Sequence, residues 1–174
     1  MTEETTTRPA CRRDVPIILA IYNAAVLEPA SAYEDVPHTL PQRKEWFDYF
    51  MRRNFPIVVA ECDGVVVGWG SLGPHQERAG FRFTGSVALY VAGTHRLRGI
   101  GGQLLKALLK EGRKRKIHAV VAAIDSRNEA SLKLHTKHDF TQAGVFCEVG
   151  CKFGEWRNVV YLQRLLDDRA GPNA

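Results

Sequence analysis

Among the 174 residues there are only four cysteines and two methionines, and no stretch approaches the ~20 consecutive apolar residues that a membrane-spanning helix needs. The cysteines, Cys11, Cys62, Cys147 and Cys151, make no C-x-x-C pair and have no histidine beside them at a zinc-ligand spacing. A structural metal and a disulfide framework are therefore not expected, and the four read as thiols of a reducing compartment. The first eight residues are polar and lack the apolar run of a signal peptide. A soluble cytoplasmic protein, without metal and without membrane, is the expectation. Internal repeats and low-complexity tracts are missing too.

A strong charge of one sign is also missing. Lys plus Arg number 24 and Asp plus Glu 19, a formal net charge of +5. That surplus suits a polyphosphate-bearing partner more than a nucleic acid. The densest basic run, residues 113–116, has no aromatic residues interleaved and reads as the solvated C-terminal end of a helix, where cations oppose the negative end of the dipole. Nucleic acid is not an expected partner. Apolar residues make up 45% of the chain and charged ones 25%, enough for one ordinary core. The chain divides into a frayed tail at 1–7, a single domain at 8–166 and a C-terminal tail at 167–174.

Periodicity places the elements. Asp14 is expected to cap a helix running to about Val26, with Ile17, Ile18, Ile21 and Tyr22 on its inner face. Thr39 and Gln42 make a capping box for a second helix whose stripe is Trp46, Phe47 and Phe50. Residues 57–60 are a β-branched strand, Asp63-Gly64 a tight turn, and 65–72 the returning strand. Further strands are expected at 82–91, 118–124, 143–150 and 158–164, with helices at 104–114 and 128–137. The order predicts an α/β fold: a mixed sheet with helices on both faces.

The segment richest in chemistry joins the strand ending Leu89-Tyr90-Val91 to the helix bearing Leu104, Leu105, Leu108 and Leu109. Between them stands Arg96-Leu97-Arg98-Gly99-Ile100-Gly101-Gly102. Glycine lacks a Cβ, so amides at Gly99, Gly101 and Gly102 can approach an anion closely, and a helix N-terminus adds unpaired donors. This is a pyrophosphate cradle. It lacks the Gly-Lys-Ser/Thr of a nucleotidase phosphate loop. It also lacks the third glycine of a dinucleotide fingerprint, because position 104 is leucine. What stands is R-x-x-G-x-G.

That motif after a Tyr-Val strand resembles the acetyl-CoA motif of the GNAT superfamily. More narrowly, residues 8–165 resemble the phosphinothricin and methionine sulfone N-acetyltransferases. The likeness includes Ile21-Tyr22-Asn23, Gly70-Ser71-Leu72-Gly73-Pro74, Ala122-Ala123-Ile124-Asp125, Asn128-Glu129-Ala130-Ser131, Leu134-His135 and Lys152-Phe153-Gly154 with Trp156. The resemblance implies a mostly antiparallel, twisted sheet splayed at a central bulge and a homodimer. It implies acetyl-CoA as co-substrate, and transfer of acetyl to the primary amine of a small amino-acid-like molecule within a ternary complex. Leu89, Tyr90 and Val91 would hold the pantetheine arm, and Arg96, Leu97, Arg98, Gly99, Ile100, Gly101 and Gly102 the diphosphate. The Leu89 amide is the implied oxyanion donor.

Other carry-overs have plain alternatives. Asn128 matches a cofactor-binding position, with a helix N-cap as the plain alternative. Lys137 matches a position near the cofactor and would equally be an exposed lysine. His135 stands where the wider superfamily has a thiolate-protonating tyrosine, and would equally be a residue packed against the cofactor. Phe81 and Arg82 align with the acceptor pocket, Arg82 as a carboxylate clamp or a surface arginine. Trp156 is expected in the core.

Two departures stand out. Relatives carry Thr-x-Glu, with glutamate the presumed base, where this chain has Thr84-Gly85-Ser86, and they carry Asp where it has Asn158. Serine takes no proton from an ammonium without an activating partner. The base is then a water chain, another side chain, for which His75 and Glu77 are the candidates, or absent, and the change would also fit a different substrate. Ser86 also leaves two rival readings: an acyl-CoA-binding module with lost activity, and a protein or peptide N-acetyltransferase.

Overall fold

The computed structural model describes residues 5–172. Seven strands form one sheet in the order β1-β2-β3-β4-β5-β7-β6. They are β1 (Thr5–Pro9), β2 (Ile57–Cys62), β3 (Val65–Pro74), β4 (Thr84–Val91), β5 (Ala119–Asp125), β6 (Thr141–Lys152) and β7 (Glu155–Leu165). Every neighbouring pair is antiparallel except β4 with β5. The helices are α1 (Val15–Val26), α2 (Leu40–Arg52), α3 (Ile100–Lys114) and α4 (Glu129–Lys137).

The two faces of the sheet carry separate cores. On one, Leu104, Leu105, Leu108 and Leu109 of α3 pack against Val58, Leu72, Val120 and Leu162. On the other, Ile18, Tyr22 and Val26 of α1 and Phe47 and Phe50 of α2 cover Val59 and Trp69. Burying each large apolar side chain contributes about 1.5–3 kcal/mol, so the two layers hold the sheet between them.

Local chemistry explains most boundaries. Asp63 (φ 50°) and Gly64 (φ 79°) both take positive φ, the two-residue turn that closes a hairpin between Cys62 and Val65. The Thr39–Gln42 capping box opens α2. The basic run at the end of α3 is occupied locally: Arg113 donates to Leu166 O, Lys114 to Glu111 and Arg115 to Asn54 O.

Other expectations need correction. Asp14 does not cap α1 with its side chain. A 3-10 turn, Arg12–Asp14, precedes the helix, and the Asp14 carboxylate accepts from the Cys11 amide (2.8 Å) and from Arg8 (2.7 and 2.9 Å). Ile17 stays more than a third exposed, because the buried stripe runs through Val15, Ile18, Ile21, Tyr22, Ala25 and Val26. The expected tail at 1–7 is contradicted from Thr5 onward: β1 pairs Thr5 with Cys62 and Thr7 with Ala60. Its first four residues lie outside the described part. The expected tail at 167–174 is docked as far as it is described. Asp167 meets His118 at 2.7 Å, and Arg169 lies over the Phe83 ring and donates to Lys116 O at 2.6 Å. Trp156 is two-thirds exposed on the β6–β7 hairpin.

One buried cation ties the hairpin to the helical layer. Lys152 is 1% exposed, and its Nζ donates to Val26 O at 2.7 Å and to Glu34 O. It thus satisfies a carbonyl at the C-terminal end of α1, where the helix leaves its acceptors unpaired. Replacing Lys152 by methionine keeps the volume and strands both carbonyls. Urea denaturation should show a loss of about 1–3 kcal/mol, and an unchanged midpoint would contradict this role.

Candidate active site

Alternation along β4 decides which backbone groups are free. The Thr84 carbonyl accepts from His75 N (3.3 Å) and the Ala92 amide donates to Val67 O (2.8 Å), both on the β3 side. The Phe83 carbonyl accepts from His118 and Ala119 on the β5 side. In an extended strand the amide and carbonyl of one residue point the same way and successive residues alternate. Even-numbered residues therefore serve β3, and Gly85, Val87, Leu89 and Val91 turn toward β5. The β4–β5 ladder, however, ends at Ser86↔Val121. Beyond it β5 continues paired with β7 alone, as far as Asp125↔Val159. Val87 and Leu89 consequently offer unpaired main-chain groups to an opening between the strands. The Val91 carbonyl is met by Arg96 Nε at 3.2 Å.

This opening is the splay expected of the sheet, but its origin differs from the expectation. The register of β4 against β3 runs without a shift from Gly68↔Val91 to Pro74↔Gly85. The slot arises by divergence from β5, not by a bulge in that ladder. It is a cleft of about 100 Å³ whose walls include Leu89, Tyr90, Asp125, Asn128, Ser131 and His135.

The cradle sits at the next turn. Leu97 is almost wholly exposed with φ 62°, and Gly99 takes φ 82° with open space where a Cβ would be. The α3 ladder begins with Gly102 N donating to Gly99 O at 3.0 Å. The amides of Ile100 and Gly101 thus belong to the unpaired first turn of a 15-residue helix. Gly101 and Gly102 also meet a packing constraint. A Cβ there would lie 3.1 Å from Leu134 Cδ2 and 3.2 Å from His138 Cε1, so these two glycines leave room for those side chains. Arg96 is engaged by Glu28 at 2.6 Å, and Arg98 is exposed beside Gly99.

His135 is 4% exposed. Its Nδ1 lies 2.8 Å from the Ser131 carbonyl oxygen, which can only accept, so Nδ1 carries the proton. Nε2 is then a bare acceptor, buried and without a partner among the described residues. Burial pulls the imidazole below its ordinary pKa of 6.5. A neutral ring in this tautomer accepts a hydrogen bond from the slot and does not donate one. Asn128 caps α4 through Ser131 N (3.1 Å) and also donates to Ala30 O (2.9 Å), tying α4 to the α1–α2 connection. Tyr90 turns its backbone to β3 and stacks its ring on Trp69 at 4.9 Å. Lys137 is exposed at the end of α4 and is not a wall of the slot.

On the α1–α2 face, beside the closed end of the ladder, a recess of about 480 Å³ is walled in part by His75, Phe81, Thr84, Val121 and Tyr161. His75 Nδ1 is 3.1 Å from Ser86 Oγ. Of the expected acceptor residues, Phe81 walls the recess, and Ser86 touches it only through its contact with His75. Arg82 does neither: it donates to Ala79 O and lies over the Phe83 ring. Glu77 turns away, its carboxylate held by Tyr49 Oη and by Arg53 at 3.3 Å. Asn158 accepts from the Glu148 amide at 2.8 Å and supports the register shift in β6. Sequence reasoning missed Tyr33, whose hydroxyl donates to the buried Asp125 at 3.1 Å beside the slot. No local motif marks that 92-residue separation.

The orphaned His135 Nε2 and the unpaired groups of Val87 and Leu89 fit a ligand carrying amides along a narrow chain, with an anion at the α3 end. Acetyl-CoA has that form. Residues 18–140 match the acetyltransferase (GNAT) family. The chain is 37% identical over 169 residues to the L-methionine sulfoximine/L-methionine sulfone acetyltransferase of Salmonella typhimurium, covering 97% of this chain and 99% of that one. It is 34% identical to the phosphinothricin N-acetyltransferase of Alcaligenes faecalis, over 88% of this chain and 79% of that one. A Salmonella typhimurium protein solved with its cofactor acetyl-CoA superposes with a TM-score of 0.94 at 36% identity, covering 98% of both chains.

The buried neutral imidazole sets a pH dependence. His135 titrates below its ordinary value in the fold, so the unfolded chain binds the proton more readily. Its contribution to stability is complete above pH 6.5 and is lost as pH falls below that value. Denaturation at pH 8 and pH 5.5 should show a smaller drop for His135→Gln than for the wild type. Equal drops would refute the neutral buried ring.

Proposed function

The chain belongs to the acetyltransferase (GNAT) family, and from that premise we propose that it moves acetyl from acetyl-CoA to the primary amine of a small amino-acid-like molecule, of the methionine sulfone, methionine sulfoximine or phosphinothricin type, by direct attack in a ternary complex. The observation that carries the reading is the slot. A strand whose outward-facing amides and carbonyls have lost their neighbour pairs with an amide-bearing chain as with an added strand.

In this reading Val87 and Leu89 hold the pantetheine arm, and the amides of Ile100 and Gly101, at the positive end of α3, hold the diphosphate. Gly99 shapes the turn that aims them. Leu89 N–H, already fixed toward the slot, donates to the thioester oxygen as charge develops there, at no cost of reorganisation. His135 Nε2 accepts from a cofactor amide and orients the arm. Acetyl-CoA supplies an activated acyl carbon and a thiolate leaving group. The protein supplies proximity, a fixed donor and a place for the amine. Phe81 gives the acceptor an apolar wall. Cys147 and Cys151, exposed on β6, take no part.

We further propose a cytoplasmic homodimer that binds no nucleic acid. Val145, Phe146, Val149, Phe153 and Trp156 are all more than 40% exposed on the β6–β7 hairpin, an apolar surface of the kind that pairs with a copy of itself. Light scattering should give twice the 19.5 kDa chain mass. A monomer at micromolar concentration overturns the dimer.

The activity is tested with purified protein, acetyl-CoA and an amine panel that includes methionine sulfone, methionine sulfoximine, phosphinothricin and common amino acids, following thiol release. Turnover on a small amine is expected. Gly99→Ala, which forces a Cβ into positive φ, should raise KM for acetyl-CoA with little change in kcat. Calorimetric binding of acetyl-CoA without any turnover would favour a binding module, and turnover on peptides alone a protein acetyltransferase.

A further inference from the structure

We propose that His75, acting through the Ser86 hydroxyl, is the base that takes the proton from the acceptor ammonium. The inference rests on the acetyl-transfer reading and deepens it.

The need comes from the chemistry. The α-amine of an amino-acid-like acceptor has a pKa above neutrality and is mostly protonated at pH 7. It has no lone pair for attack until a proton leaves. The recess beside the ladder's end offers few acceptors. Among its described wall residues no carboxylate is present, and the titratable side chains are His75 and Tyr161. Glu77, on the His75 loop, is bound by Tyr49 and Arg53 of α2 and points out of the recess. Arg82 and Arg169 lie over Phe83, and His118 is paired with Asp167. Imidazole is the one wall group whose ordinary pKa lies near neutrality.

Position supports the same conclusion. Ser86 is the last residue of β4 paired with β5. Its partner Val121 walls the recess, and its successor Val87 walls the slot. The side chains of Ser86, Ala88 and Tyr90 alternate to the α1–α2 face, the side of the recess. A proton arriving at Ser86 Oγ is therefore at the junction between the acceptor's space and the thioester's. His75 Nδ1 is 3.1 Å from that oxygen. The His75 backbone amide is fixed to Thr84 O, and its ring lies 5.8 Å from that of Phe81. Both the loop and the ring are held where the relay needs them.

The steps balance. With the ring proton on Nε2, bare Nδ1 accepts the Ser86 hydroxyl proton as Ser86 Oγ takes one from the ammonium. The freed nitrogen attacks the thioester carbon, the C–N bond forms and the C–S bond breaks. A second proton leaves nitrogen and ends on the sulfur of the departing thiol. The proton on His75 passes to water, so one proton is released per acetyl transferred.

The test uses the full chain with acetyl-CoA and methionine sulfone, or the best amine of the panel. His75→Gln and Ser86→Ala should each lower kcat about 100-fold at pH 7, within the usual range for a positioned base. The double variant should be no worse than either single one, because the two groups act as a unit. The deficit should shrink as pH rises toward 10, where solvent deprotonates the amine, while calorimetric affinity for acetyl-CoA stays unchanged. Added imidazole should partly restore His75→Ala. Additive losses, a deficit independent of pH, or full activity in His75→Gln would each overturn the relay while leaving acetyl transfer intact. A wild type that transfers acetyl to no amine would instead overturn the functional reading, and the relay with it.

Discussion

One constraint organises this molecule: β4 and β5 run parallel for three residue pairs and then part. A buried main-chain donor or acceptor without a partner costs about 1–3 kcal/mol, so folded proteins rarely leave a strand half-paired. Here β4 keeps its full ladder to β3 while its other edge opens at Ser86. An extended ligand with its own amides would restore what the divergence removes. The direction of the Leu89 amide, the place of the glycine turn and the location of the acceptor recess all follow from where the ladder stops.

Holding two strands apart requires wedges and ties on both faces. Below the slot, Gly101 and Gly102 of α3 leave room for the side chains of Leu134 and His138. Above it, the connection between α1 and α2 is fastened at several points. Asn128 reaches Ala30 O, Tyr33 reaches Asp125, Lys152 reaches Val26 O and Glu34 O, and Arg96 reaches Glu28. Each tie joins residues at least 68 positions apart in sequence. Exposed pairs such as Arg96–Glu28 contribute little each. The buried Lys152 ammonium, held by two carbonyls, carries more of the load.

How much of this was legible in the sequence depended on whether the determining contacts were local. The Asp63-Gly64 turn, the Thr39–Gln42 box and the leucine face of α3 are set by neighbours within four residues, and each stands where periodicity and turn chemistry placed it. The glycine turn was legible as a turn, and its resemblance pointed to the family. β1 was not legible: Thr-Thr-Thr-Arg-Pro has neither an apolar run nor clean alternation, and it becomes a strand because the free edge of β2 templates it. Trp156 was misplaced because its exposure depends on how far the β6–β7 hairpin projects. Glu77 could not be separated from His75, since only the approach of Tyr49 and Arg53 from α2 removes it from the site.

The resemblance places a glutamate where this chain has Ser86, and the proposed relay would let the site work without it. A glutamate performs two tasks at once: it stands at the junction and it accepts the proton. In the proposed relay the tasks are divided. Ser86 keeps the position, because β4 cannot move without disturbing the ladder to β3. Proton affinity resides one strand away, on a loop whose backbone is pinned to Thr84 and whose ring is in reach of the hydroxyl. Division has a chemical consequence. An imidazole is neutral when it is ready to accept a proton and cationic afterwards, so the recess carries no fixed negative charge to attract the ammonium. Recognition of the acceptor then falls on shape, on the Phe81 wall and on whatever its carboxylate or sulfone meets, and a site of that kind favours substrates whose binding energy lies in those groups more than in the amine itself.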